Sequence, residues 1–127
     1  VNLNILNKMH QKKTGALIKC SIKFGALLNH ASENDLSILE SFASHLGLAY
    51  QIQDDVLDVT TSDELLGKRQ NSDAVKNKPS YPSIIGLNES IKTFENLYQN
   101  AQEELSHLSV DSGPLSLLTT RLMNRSY

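Results

Sequence analysis

Residues 35–58 read DLSILESFASHLGLAYQIQDDVLD. Leu36, Leu39, Phe42, Leu46, Ala49, Tyr50, Val56 and Leu57, with Gln53 among them, recur every three or four positions. That is the period of a helix with one buried face. Asp35 stands where an N-cap belongs. The stretch ends in three aspartates.

The same period extends outward on both sides. Leu3, Leu6, Met9, Ala16, Leu17, Cys20, Phe24, Leu27 and Leu28 predict a first helix that breaks at residues 29–34. A third stripe runs Ile84, Leu87, Ile91, Phe94, Leu97, Ala101, Leu105 and Leu108. Asp111-Ser112-Gly113-Pro114 reads as a turn. Leu115, Leu118, Leu122 and Met123 predict a last short helix. No strand alternation stands out, so the fold class is all-α, and helices with single apolar stripes must pack on one another as a bundle. Residues 1–127 read as one domain without an internal repeat. The long gap in the pattern, about residues 60–83, is expected to be a flexible, functional loop.

Composition excludes several classes. The chain has 127 residues, 39% of them hydrophobic, and a net charge of -2. That balance gives no bulk attraction to nucleic acid or to an anionic membrane. No apolar run reaches the length of a membrane span and no signal-peptide pattern is present. The single cysteine, Cys20, forms no internal disulfide and is expected to be a buried, reduced thiol of a cytoplasmic protein. His10, His30, His45 and His107 include no i, i+4 pair, which argues against a zinc helix. The chain opens on Val1 inside a helical pattern, which suggests a fragment.

Three features carry chemistry. The first is Asp54, Asp55 and Asp58 with Gln51 a turn earlier. On a helix the three carboxylates are expected on one face beside the apolar stripe. Like charges at these spacings repel. A hard divalent cation such as Mg²⁺, completed by phosphate oxygens, relieves that repulsion. On spacing alone, a solvated acidic patch fits as well. The second is Lys13, which falls on the stripe of Met9, Ala16, Leu17 and Cys20 where a core residue belongs, followed by Thr14 and Gly15. A buried ammonium needs a partner, and Gly15 costs the helix about 1 kcal/mol unless something approaches its backbone. Lys-Thr-Gly at a cavity suits an anion, although a lysine whose ammonium reaches solvent fits equally. The third is the basic loop after the aspartates, with Lys68, Arg69, Lys76 and Lys78. It lacks the P-loop pattern, yet a basic flap next to an acidic face can close on a metal–diphosphate.

Together these runs resemble a known family. KTGALIKCSIKFGALL (13–28) resembles the lysine–threonine helix of trans-isoprenyl (polyprenyl) diphosphate synthases. YQIQDDVLD (50–58) resembles their second aspartate-rich motif. LGKRQNSDAVKNKPSYPSIIGL (66–87) resembles the loop and helix start that follow in bacterial farnesyl diphosphate synthases, or geranyltranstransferases. All three stand in the family's order, and the resemblance covers essentially the whole chain.

The resemblance implies a bundle of the isoprenoid synthase type of which only the C-terminal helices are present. It implies a Mg²⁺-dependent prenyltransferase of isoprenoid biosynthesis that condenses an allylic diphosphate (dimethylallyl or geranyl) with isopentenyl diphosphate to give farnesyl diphosphate. Asp54, Asp55 and Asp58 correspond to the Mg²⁺ ligands. Lys13, Thr14, Gln51, Lys68 and Lys78 correspond to the diphosphate-binding residues, the first four also as catalytic groups, and Asp73 corresponds to a residue that orders the loop. Asn71 and Asn77 replace glycines usual in the family, which puts most in question the place of Lys78. The first aspartate-rich motif and the isopentenyl diphosphate pocket have no counterpart here, so the chain alone is expected to be inactive. The full-length form is expected to be a homodimer. The alternative is a non-catalytic helical subunit or fragment that binds Mg²⁺–diphosphate or a partner chain.

Overall fold

The structure, a computed structural model, describes residues 2–65 and 79–126, with side chains described through residue 61 and again from 79. Most of the described residues are helical, and none of them lies in a strand. Helix α1 (Leu3–His10) begins at Asn2, whose side chain accepts from the Ile5 N–H at 3.0 Å. A π-helical turn, Gln11–Gly15, follows without a break and leads into α2 (Ala16–Leu28). Helix α2 stops where His30 adopts a left-handed φ of 56°. There the Ala31 N–H reaches back to the Ala26 carbonyl at 3.0 Å, the 6→1 bond that closes many helices.

Helix α3 (Glu33–Leu65) is the axis of the bundle. Its cap is Ser32, whose Oγ accepts from the Asp35 N–H at 3.1 Å, and not Asp35 as the sequence suggested. Asp35 is itself buried and accepts from the backbone N–H and hydroxyl of Ser109. These bonds, the hydroxyl's first, hold its carboxyl below the usual value of 3.8. Helix α3 also continues past Thr60 to Leu65, so the expected loop starts later than the apolar pattern implied. At the loop's far end, α4 (Tyr81–Ile85) is set by a capping box of Ser80 and Ser83 with Pro82 in the first turn. Gly86, at φ 92°, ends α4 and opens α5 (Leu87–Leu105). The expected turn at Asp111–Pro114 runs directly into α6 (Gly113–Met123), with Pro114 in its first turn.

The core lies where α5 packs along α3. Phe42, Leu46, Ala49, Ile52 and Val56 of α3 meet Phe94, Tyr98, Ala101 and Leu105 of α5, and Leu6 of α1 joins the same core. Side chains of the size of Phe42 or Ile52, fully removed from water, stabilise by about 2–3 kcal/mol each. Two expectations fail at α1 and α2. Cys20 is exposed, and so are Lys13, Met9 and Leu17. The inward face is instead Leu6, His10, Thr14, Ile18, Ile22 and Ala26, every fourth residue. A pure α-helix drifts off a spacing of four, and the wider π turn brings it back.

Candidate active site

The π turn lies on α3 through two glycines. A Cβ added to Gly47 would stand 3.1 Å from the Gly15 Cα, closer than side-chain carbons pack. The backbone that comes close at Gly15 is that of helix α3. This contact seats the turn that bears Lys13 and Thr14 on α3 at Gly47, one helical turn before Gln51 and two before Asp54. π turns inside helices recur at functional sites. Lys13 is exposed, and Thr14 and Gln51 are half-buried. Thr14 also shares an apolar cleft of about 410 Å³ with Leu17, Ile18, Tyr50, Leu118 and Leu122.

The three aspartates divide. Asp55 is buried: its Oδ2 lies 3.3 Å from His10 Nε2 and accepts from the Tyr81 N–H at 3.1 Å. A carboxylate only accepts, so His10 must carry its proton on Nε2 for that bond. The His10 and Tyr81 rings stack at 6.1 Å, and the Tyr81 hydroxyl donates to Asn7 Oδ1. Burial pushes the Tyr81 phenol up. Asp55 thus ties α1 and the start of α4 to α3. The expected face of three carboxylates is reduced to two that point outward: Asp54, with a side chain 37% exposed, and Asp58, exposed.

A residue that sequence reasoning missed completes the site. Arg125, just past α6, donates through Nε to Gln53 Oε1 at 2.8 Å and through Nη2 to the Tyr50 carbonyl at 3.1 Å. Its guanidinium lies 3.9 Å over the Tyr50 ring and 3.6 Å from Asp54 Oδ1. Gln53 is 2% exposed; it also accepts from the Tyr98 hydroxyl at 2.6 Å and donates to the Met123 carbonyl at 3.0 Å. Burial pushes the Tyr98 phenol up to about 12, so it is a donor at neutral pH. The one sequence signal was Gln53 itself, a polar residue inside an apolar stripe.

Among the described residues no group of three or more His, Cys, Asp or Glu side chains is gathered to hold a metal. The donor chemistry of Asp54 and Asp58 nevertheless fits a hard cation: two carboxylates a turn apart, one of them already facing a guanidinium. Lys68, Asp73 and Lys78 lie outside the described residues.

Residues 1–110 match the family model for polyprenyl synthetase. The chain belongs to the polyprenyl synthetase family. The geranylgeranyl diphosphate synthase of Cyanophora paradoxa is 40% identical over 98% of this chain and 41% of its own length. The farnesyl diphosphate synthase of Escherichia coli K12 is 36% identical over 99% of this chain and 44% of its own. A solved structure from Marinomonas sp. MED121, provisionally assigned as a farnesyl-diphosphate synthase, superposes with a TM-score of 0.80 at 32% identity, over 98% of this chain and 41% of that one. This polyprenyl synthetase chain therefore spans about two fifths of the length of the relatives it matches. No helix among its described residues is long and apolar enough to cross a membrane.

Proposed function

We propose that the chain supplies the allylic-diphosphate half of a Mg²⁺-dependent trans-prenyl diphosphate synthase, of the farnesyl type. The reading is supported by the Gly15–Gly47 contact, which packs the turn bearing Lys13 and Thr14 on α3, the helix whose Gln51, Asp54 and Asp58 recur at helical spacing. In this reading the ammonium of Lys13, the hydroxyl of Thr14 and the carboxylates of Asp54 and Asp58 receive a diphosphate head, and the apolar cleft that Thr14 lines takes its hydrocarbon tail.

In the proposed reaction the allylic C–O bond breaks and its electron pair leaves with the diphosphate. The isopentenyl double bond forms the new C–C bond, and a proton is lost from the adduct. Lys13 neutralises charge as it develops on the leaving oxygen. Thr14 and Gln51 turn dipoles toward the cationic carbon, and the apolar cleft keeps water from it. Asp54 and Asp58 are the residues that would hold Mg²⁺, which when bound supplies further neutralisation of the diphosphate. Asp55 keeps the wall in place from behind. Lys68 and Lys78 complete the diphosphate contacts in this reading, and Asp73 orders the loop that bears them. Relatives carry both farnesyl and geranylgeranyl names; the farnesyl assignment rests on residues 66–87.

Thermal unfolding of the full-length protein with Mg²⁺ and inorganic pyrophosphate tests the site. At a hundredfold excess over Kd, binding stabilises by about 2.7 kcal/mol, which raises Tm by several degrees. Asp54→Asn is expected to remove that rise while leaving the ligand-free Tm near that of the wild type. A wild-type Tm indifferent to both ligands would return the chain to a scaffold role.

A further inference from the structure

Arg125 lies beside the carboxylates and is also anchored by neutral groups. It donates hydrogen bonds to Gln53 Oε1 at 2.8 Å and to the Tyr50 carbonyl at 3.1 Å, and its guanidinium lies over the Tyr50 ring. Gln53 is in turn fixed by Tyr98 and by the Met123 carbonyl. The 3.6 Å separation from Asp54 Oδ1 exceeds a direct hydrogen bond, so that contact is chiefly one of charge. These neutral contacts do not depend on what Asp54 binds.

We propose that Arg125 is a positioning residue whose fixed charge makes the Asp54 site take up a divalent cation together with a diphosphate rather than alone. The inference rests on the reading of Asp54 as a metal ligand. Without a metal, Arg125 offsets the repulsion among the aspartates and orients Asp54. A divalent cation arriving alone meets a positive charge within about 6 Å, and even at the dielectric of water this weakens binding on the order of tenfold. A cation already carrying diphosphate is net negative and is attracted by the same charge. Arg125 thus opposes the first event and favours the second. By linkage, metal and diphosphate each raise the other's affinity.

The test is calorimetric titration of the full-length protein with Mg²⁺, with and without inorganic pyrophosphate, in the wild type, Arg125→Gln and Arg125→Met. The methionine variant keeps an apolar stem over Tyr50 should the glutamine variant fold poorly. Both are expected to bind Mg²⁺ alone about tenfold more tightly than the wild type, and to show a pyrophosphate enhancement smaller by a similar factor. A purely structural role would leave both quantities unchanged in any variant that folds, and that result overturns the inference. Asp54→Asn separates the two claims. If it abolishes Mg²⁺ uptake while the Arg125 variants match the wild type, the metal site stands and the role of Arg125 falls. If Mg²⁺ uptake is undetectable in the wild type or indifferent to Asp54, both fall.

Discussion

Gln53→Leu should be among the most damaging single changes in the chain. The substitution keeps the side chain's bulk but removes an acceptor and a donor from a site 2% exposed. Three groups lose their partner: the Tyr98 hydroxyl at 2.6 Å, Arg125 Nε at 2.8 Å and the Met123 carbonyl at 3.0 Å. Tyr98 is fully buried and, with its phenol pushed up to about 12, cannot shed its proton at neutral pH. Stranding such a donor costs about 2 kcal/mol, and the other two groups about 1 kcal/mol each. The added apolar surface of leucine returns roughly 1 kcal/mol, so the net loss is about 3 kcal/mol. Tyr98→Phe alone should cost only about 1 kcal/mol, because Gln53 Oε1 still accepts from Arg125. The double variant no longer strands the hydroxyl, so it should be less damaging than the sum of the singles by about 3 kcal/mol. Urea unfolding at constant m-value measures all three. Strict additivity, or a Gln53→Leu loss below about 1 kcal/mol, would refute the hub.

Two further outcomes follow from the same geometry. Gly47→Ala places a methyl 3.1 Å from the Gly15 Cα; overpacking of about 1–3 kcal/mol should outweigh a propensity gain of about 1 kcal/mol. Pyrophosphate affinity should fall with it as the Lys13–Thr14 turn is displaced, whereas Gly25→Ala, with nothing within 4 Å, should stabilise slightly. Asp35 has a folded pKa below 3.8 because Ser109 donates to it. Its contribution is therefore present above that value and lost as pH falls through the folded pKa. Asp35→Asn should lower Tm at neutral pH and flatten its decline in acid, and an acid limb identical to wild type would contradict this.

The helical stripes of α3 and α5 were legible because undisturbed α-helices keep one period; Phe42, Leu46, Phe94 and Ala101 are buried as that period requires. The face of α1 and α2 was not, because a five-residue π turn alters the register and no residue pattern announces it. Extending the stripe across residues 11–15 put Lys13 inside, whereas it is exposed. For the aspartates, spacing on a helix fixes direction only to within a residue's turn. It could not tell that His10 and the Tyr81 N–H, 45 and 26 residues away, would draw Asp55 inward. Arg125 was hidden for the same reason: its partners lie some seventy residues back in the chain. Motif order revealed the family that the matches bear out, while the architecture of the carboxylates came only with tertiary contacts.

The central claim is prenyl transfer at the Lys13–Asp54 face. The most direct measurement is product formation by the full-length protein from geranyl diphosphate and isopentenyl diphosphate with Mg²⁺, compared with its Asp54→Ala variant. The account predicts farnesyl diphosphate from the wild type, and a rate lower by a hundredfold or more, on the order of a lost electrostatic group, from the variant. A fully active Asp54→Ala protein, or no transfer by the wild type, would contradict it.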